Sequence, residues 1–370
     1  MEIHFAKSKT LANDVDIRKQ LSQAFSQYFK DKGMSRHANS MMWVKVFGGL
    51  LFWIGSYFVV ILGGLQGWPL LLVAVFHGLT HLFIPFNISH DASHHAISDK
   101  AWVNKLLTYT LEMIGVSSFF WNQGHNHEHH GYINVLGKDS NIDGYGMLRF
   151  SPDEKPKPAF RFQHWYALFV YALTTLNYVT LKDLKNARQY VREKGSVPVK
   201  EIAIMLFFKV FYYSYMIVIP ALVLDVALWQ VLLVYLGIHL MIGSILSLVF
   251  LCGHLTEDAY FPQYDTQSTI NETWTEHVIR TTGNYGLENP VLTWLVGGIN
   301  LHLVHHLYPR ICHIHYDALS RIAQQVLEEN GQTFRYSGSF WQAIGSHFRF
   351  LKTMGNAKTY NPALPYLHDN

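Results

Sequence analysis

The chain has 370 residues, of which 49% are apolar and 15% are charged, whereas soluble domains carry about 25% charged residues. The charge deficit falls in a few long uncharged runs, which indicates membrane spans. A net charge of +3, scattered along the chain, does not indicate a nucleic-acid partner. The two cysteines, Cys252 and Cys312, exclude a disulfide framework and a thiolate zinc site, and they suit a reducing compartment.

Four apolar runs, uncharged except for Lys209 in the third, reach the roughly 20 residues that a helix needs to cross a bilayer. The first 40 residues are polar and contain no apolar signal-peptide core, so insertion would depend on the first run. The turns after the first and third runs are very short, and the four runs therefore form two hairpins. We predict spans near 46–66, 68–89, 202–224 and 226–253.

Lysine and arginine are absent from both short turns and crowd the N-terminus, the 96–201 connection and the C-terminal third. The positive-inside rule places those regions in the cytoplasm. Two further apolar stretches remain: we interpret 101–121 as an interfacial helix and 164–181 as peripheral or buried. We therefore expect one domain over 1–370, an all-α integral membrane protein with a cytoplasmic helical cap and with residues 1–45 as a cytoplasmic N-terminal segment.

Ten of the 22 histidines lie in three short clusters on the cytoplasmic side of the predicted spans. Neutral imidazole is the commonest metal ligand, and histidines three or four residues apart project from one helix face. One metal ion seldom takes more than four protein ligands, so this number of histidines predicts two metal ions. The clusters read His90-Asp91-Ala92-Ser93-His94-His95, His125-Asn126-His127-Glu128-His129-His130 and His302-Leu303-Val304-His305-His306.

The predicted ligands are the clustered histidines together with His254, which directly follows the fourth span. They are His90, His94, His95, His125, His129, His130, His254, His302, His305 and His306. Roles as ligands or as hydrogen-bond partners of ligands are predicted for His127, which is out of helical phase, and for His277, Asn284 and Asp91. Asp91, Glu128, Asp139 and Asp143 are candidate acceptors for the free N–H of a ligand histidine, and for Asp139 and Asp143 a solvated loop charge stays open. No catalytic side chain is predicted beyond the metal centre.

Three histidines fall in the middle of predicted spans. For these, both a functional role and hydrogen-bonded packing inside the helix bundle stay open. They are His77, His81 and His239.

Two familiar metal sites are excluded by spacing. The chain contains no His-Glu-x-x-His motif of the zinc proteases and no paired Glu-x-x-His motifs of the ferritin-like di-iron proteins. An almost all-imidazole site remains, and from the ligands alone iron, zinc and copper stay open.

Together these features resemble the membrane fatty-acid desaturases, and the resemblance covers nearly the whole chain. The three histidine boxes of that family, H-D-A-x-H, H-N-x-x-H-H and Q/H-x-x-H-H-L-F/Y-P, match at 90–94, 125–130 and 302–309. The subgroup most similar is the bacterial acyl-CoA or acyl-lipid desaturases of the linoleoyl-CoA (front-end) type. Those enzymes usually begin the third box with Gln, where this chain has His302.

The resemblance implies an oxidoreductase of lipid metabolism with two iron ions, which uses O2 to introduce a cis double bond into a fatty-acyl-CoA or acyl lipid. It implies a multi-pass protein of the bacterial inner membrane with its active site on the cytoplasmic side. The His-Pro-Gly-Gly motif of a fused cytochrome b5 is absent from the sequence, so a separate ferredoxin or cytochrome b5 is the expected electron donor. A hydroxylase or monooxygenase on the same scaffold and a membrane metal-binding or transport protein remain alternatives.

Overall fold

The computed structural model describes residues 3–5, 17–264 and 268–357, which are mostly helical. Residues 6–16 of the predicted N-terminal segment lie outside the described residues. The α-helices are α1 (Ile17–Lys32), α2 (Ser40–Leu62), α3 (Gly67–Ile84), α4 (His90–Ser93), α5 (Ala101–Thr108), α6 (Thr110–Met113), α7 (Ser118–Trp121), α8 (Gln163–Ala172), α9 (Thr174–Asn177), α10 (Asp183–Lys194), α11 (Val199–Tyr213), α12 (Ile219–Val223), α13 (Leu228–Leu251), α14 (Trp274–Thr281), α15 (Pro290–Leu295), α16 (His302–Leu307), α17 (Tyr316–Glu329) and α18 (Phe340–Asn356).

Shorter elements connect these helices. Two short parallel pairs join strands that are far apart in the chain, β1 (His4–Phe5) with β2 (Thr269–Ile270) and β3 (Asn284–Tyr285) with β4 (Tyr336–Ser337). The π-helical segments are Pro85–Ser89, Asn122–His129, Tyr178–Lys182 and Ser214–Val218, and the 3-10 segments are Pro158–Phe162 and His313–His315.

The chain divides into two compact units, each built from separate stretches of sequence. We call residues 38–123 and 168–248 the long-helix unit, and residues 1–37, 124–167 and 249–370 the histidine unit. The expectation of a single domain over 1–370 stays a prediction.

Four helices in the described part of the chain are long and apolar enough to cross a bilayer, in agreement with the predicted number. They are Ser40–Leu62, Gly67–Ser93, Val199–Val223 and Leu228–Leu251. The first begins before the predicted residue 46, because the Asn39 side chain caps it by accepting from the Met42 N–H. Lys45 is buried within this helix. The predicted span began one residue later because it included only uncharged residues.

The long helices present large apolar side chains outward. Leu51, Leu72, Phe207 and Leu222 are each more than 60% exposed. In water such a surface would be costly, whereas in a bilayer the lipid tails cover it. The two ambiguous stretches take shorter forms: 101–121 contains α5, α6 and α7, and 164–181 is interrupted at Leu173 between α8 and α9.

An ion pair joins two helices of the long-helix unit. The Nζ of Lys209, on α11, lies 2.7 Å from the Oδ2 of Asp183, the first residue of α10. Lys209 also donates to the carbonyl oxygens of Gly115 (2.7 Å) and Val179 (2.8 Å), and Asp183 accepts from the Ser117 N–H. The Asp183 side chain is only 3% exposed, so these partners stabilise its negative charge in place of water.

We expect Lys209→Met to lower the free energy of unfolding by about 3–5 kcal/mol, because it leaves the Asp183 carboxylate buried without its cation. The double variant Lys209→Met/Asp183→Leu removes both charges and should recover part of the loss. Thermal unfolding of the purified variants in detergent measures both effects. A double variant no more stable than Lys209→Met would contradict a role for the pair.

Candidate metal centre

The second histidine cluster lies on a π-helical segment, not on the α-helix that its spacing predicts. In the π-helix Asn122–His129 the backbone N–H of residue i+5 donates to the carbonyl oxygen of residue i, which widens the turn. His125 and His130, five residues apart, therefore come onto one side with ring centroids 4.9 Å apart. His129 is buried beside them, whereas His127 is exposed, and its predicted role as a ligand or a partner of a ligand stays a prediction.

The third cluster lies on α16, which is buried on all sides. Its apolar residues Leu303, Val304 and Leu307 pack into the core formed with α1, α14 and α17. This packing fixes the helix, and His302, His305 and His306 are all buried on it. Asn284, on β3, holds the N-terminal turn because its Oδ1 accepts from the Leu303 N–H at 3.1 Å.

His254 enters the same region from the turn that comes after α13. The preceding residue, Gly253, lies so close to the His302 ring that a Cβ on it would be 2.6 Å from the Cδ2 of His302. A glycine at position 253 therefore lets the backbone that carries His254 approach the third cluster.

Four histidines of the histidine unit converge. One ring nitrogen from each of His129, His254, His302 and His306 lies within 4.8 Å of the other three. The Nε2 atoms of His302 and His306 are 3.2 Å apart, and all four residues are buried. Four imidazole nitrogens at this spacing form the donor set of a transition-metal site.

The hydrogen bonds at Nδ1 fix which nitrogen is available in two of these rings. His254 Nδ1 lies 3.1 Å from the Thr281 carbonyl oxygen, which can only accept, so this Nδ1 carries the proton. His129 Nδ1 lies 3.0 Å from Oδ1 of the buried Asp139, which leads to the same tautomer. Each Nε2 therefore has a lone pair, and neither has a hydrogen-bond partner among the described residues.

Burial keeps the rings of His254 and His306 neutral. It lowers the pKa of His254 and of His306 well below the usual 6.5, and the neighbouring imidazoles lower it further. The neutral ring is the form that binds a metal. A buried nitrogen without a partner costs about 1–3 kcal/mol, so the arrangement fits a bound cation better than a packed core.

The remaining predicted ligands are divided between the two units. Within the histidine unit, one ring nitrogen each of His130, His305 and His306 lies within 4.8 Å of the others, and His305 Nδ1 is 3.3 Å from the Tyr316 hydroxyl. Within the long-helix unit, His90 and His94 are buried with ring centroids 5.0 Å apart.

The other residues predicted as ligands or as partners of ligands lie outside these groups of converging nitrogens. His95 is exposed and has a φ of 59°, in the left-handed region. Asp91 Oδ1 is 3.8 Å from His90 Nδ1, too far for a hydrogen bond. His277 is buried against Glu272 (Nδ1 to Oε1, 3.1 Å), and the amide of Asn284 binds backbone groups.

Three supporting residues received no predicted role from the sequence. They are Gly253, Tyr316 and His347, whose Nδ1 donates to the Leu255 carbonyl oxygen at 2.7 Å beside His254. The only signal for Gly253 is that a glycine directly precedes a predicted ligand. The other two act through contacts between distant residues, which spacing does not reveal.

Asp139→Asn should weaken metal binding about 10–100-fold, because an amide in place of the carboxylate no longer secures the Nδ1–H tautomer of His129. Asp143→Asn is the matched control: Asp143 is exposed and accepts from the nearby Tyr145 N–H. Metal retained per chain, measured at graded chelator concentrations, tests this prediction. Equal retention in both variants would contradict it.

Gly253→Ala should displace the His302 ring and destabilise the protein by about 1–3 kcal/mol through overpacking, with loss of bound metal. Gly131→Ala is the control, because a Cβ at Gly131 meets nothing within 4 Å. Metal content and thermal unfolding are measured on both. Full metal occupancy in Gly253→Ala would show that the close approach to His302 is not required.

Known proteins resemble this chain along most of its length. Residues 66–338 match the family model described as Fatty acid desaturase. The sn-1 linoleoyl-lipid 6-desaturase of Arthrospira platensis is 32% identical over 93% of this chain and 94% of its own length. The same-named protein of Synechocystis sp. is 32% identical over 92% and 96%, and the acyl-lipid (8-3)-desaturase of Mortierella alpina is 25% identical over 92% and 78%.

These matches confirm the resemblance that the three histidine boxes carry, including its front-end character. The matched region contains the three boxes and His254. The chain belongs to the fatty acid desaturase family, whose members are oxidoreductases.

Proposed function

We propose that this protein is an acyl-lipid desaturase that introduces a double bond at position 6 of linoleoyl chains. The substrate is that named for the two relatives at 32% identity, whose similarity extends over almost their full length. The observation that carries the proposal is the convergence of one ring nitrogen each from His129, His254, His302 and His306.

The metal in this proposal is iron, and there are two ions. His129, His254, His302 and His306 hold one of them. The second belongs to the remaining predicted ligands of the histidine unit, His125, His130 and His305, while His90, His94 and His95 stay predictions. Support comes from the number of histidines, which exceeds what one ion takes, and from the absence of thiolate clusters in a chain with two cysteines.

Iron suits the reaction because acid–base side chains cannot break the C–H bonds of an unactivated methylene pair. When bound, the iron pair supplies the oxidising power for removal of the two hydrogens. Overall, the methylene pair loses two hydrogens, and O2 takes up these with two further electrons and two protons to form two waters. The electrons come from a separate ferredoxin or cytochrome b5.

The residues of this chain hold and orient the ligands. Asp139 and the Thr281 carbonyl fix the rings of His129 and His254 with Nε2 available. Tyr316 and Asn284 restrain α16 at His305 and at its first turn. Burial excludes water from the four converging rings and lowers the pKa of His254 and His306, which keeps these two rings neutral.

We further propose the membrane arrangement. The four long helices form two hairpins in a bacterial inner membrane, and a helical cap lies on the cytoplasmic side. Support comes from the lysines and arginines, which avoid the two short turns. The substrate chain then reaches the centre from the bilayer, and the electron donor from the cytoplasm.

Expression in a host whose lipids contain linoleoyl chains should yield chains with a third double bond, at position 6. Gas chromatography–mass spectrometry of the fatty acids locates the new bond. A hydroxylated chain as the main product would instead indicate a hydroxylase on the same scaffold and contradict the proposal.

Two variants relate that product to the site. His254→Ala should abolish it, because one of the four converging nitrogens is lost. His127→Ala should retain it, because this neighbour of the second cluster is exposed. Full activity in His254→Ala would remove His254 from the ligand set.

A further inference from the structure

The three histidines inside the spanning helices differ in their hydrogen bonding. His81 Nδ1 donates to a carbonyl of its own helix, and its Nε2 is 3.0 Å from the Tyr215 hydroxyl. His239 Nδ1 is 3.1 Å from the Thr175 hydroxyl, and its Nε2 is 2.7 Å from the Tyr212 hydroxyl. Both nitrogens of these two rings have partners, so packing alone accounts for them.

His77 has only one of its two nitrogens satisfied. The Ser56 hydroxyl donates to the Trp53 carbonyl at 3.0 Å, so its oxygen accepts from His77 Nδ1 at 2.9 Å. The neutral ring then carries a lone pair on Nε2. This atom is buried and has no hydrogen-bond partner in the described part of the chain. An acceptor of this kind inside a membrane protein is costly unless a donor reaches it.

His77 also lines a cavity of about 520 Å³ within the long-helix unit. The wall is formed by α2, α3, α12, α13 and the π-helical segment Ser214–Val218, and it is almost entirely apolar. Typical lining residues are Leu71, Val75, Met216, Val234 and Ile238. Because water needs two to four polar partners, a cavity of this composition favours hydrocarbon.

We propose that this cavity binds a neutral membrane lipid with a long hydrocarbon chain and a hydroxyl group that donates to His77 Nε2. The four spanning helices are surrounded by lipid, which supplies such molecules directly. His77 lies ten residues after Gly67, about 15 Å along the helix at 1.5 Å per residue, so the hydroxyl is held deep between the helices.

The tautomer of His77 decides the chemical class of the ligand. An ester or ketone has only acceptor oxygens and cannot satisfy a lone pair. A carboxylate would bring an uncompensated charge into an apolar cavity. A lipid alcohol has the donor and no charge. Since Nε2 is covered by protein, the hydroxyl reaches it with a local movement of the lining side chains.

The test uses the full purified chain in lipid nanodiscs and a hexadecanol that carries a diazirine for photolabelling and an alkyne for detection. Mass spectrometry should find the label on peptides of α3 and α13. Hexadecanol should compete at a concentration about three- to tenfold lower than methyl palmitate, the range that one neutral hydrogen bond provides. Equal competition by the two compounds, or better competition by the ester, would overturn the hydroxyl assignment.

Variants separate the cavity from nonspecific lipid contact. Gly237 lines the cavity, and a Cβ added there meets nothing within 4 Å, so Gly237→Phe should fill the space and remove most of the labelling. Gly55→Phe is the matched control, because Gly55 is also a spanning-helix glycine with open space at its Cβ and is not among the residues that line the cavity. Equal labelling in the two variants would refute the site.

His77→Phe should keep the labelling but remove the preference for hexadecanol over methyl palmitate. Should this variant not fold, competition on the unmodified chain and the two glycine variants still decide the proposal. No measurement depends on desaturation, so a failed product assay and a failed lipid site remain distinguishable.

Discussion

The histidine unit depends on one constraint: buried imidazoles must stay neutral and present their lone pairs to one another. Burial achieves neutrality by lowering the pKa of His254 and His306. Orientation is a separate requirement, since a neutral ring has two tautomers. Asp139 accepts a hydrogen bond from His129 Nδ1, and the Thr281 carbonyl accepts one from His254 Nδ1, which fixes the tautomer of these two rings. A metal bound at the four nitrogens offsets the cost of leaving them without other partners.

The backbone is arranged to allow this convergence. His129 comes from the end of a π-helical segment, His254 from a turn, and His302 and His306 from a six-residue helix. Regular α-helices would place these rings by spacing alone. Here each ring is positioned by a different feature. The wider π-helical turn positions His129, Gly253 lets His254 approach the His302 ring, and Asn284 on β3 holds the first turn of α16.

The sequence predicts what depends on composition and local spacing. Long apolar runs predicted the four long helices. The histidine boxes predicted the family and three of the four converging residues, and the fourth, His254, was predicted from its position after the fourth span. Contacts between distant residues could not be predicted. The prediction that Asn284 is a ligand or a hydrogen-bond partner of one stays untested, and its contact with the first turn of α16 exists only because β3 lies beside that helix. The π-helical turn at His125 also depends on tertiary packing, since its residues equally fit an α-helical spacing.

The histidines of this chain show that position alone does not reveal their role. His81, His239 and His77 all lie inside spanning helices, yet only the last keeps a nitrogen without a partner among the described residues. His129 and His254 show the same pattern in the histidine unit, with Nδ1 engaged and Nε2 left over. In both places a fixed tautomer creates a buried lone pair. The surroundings then decide which ligand that lone pair binds: several lone pairs together attract a cation, whereas a single one beside an apolar cavity requires a neutral donor.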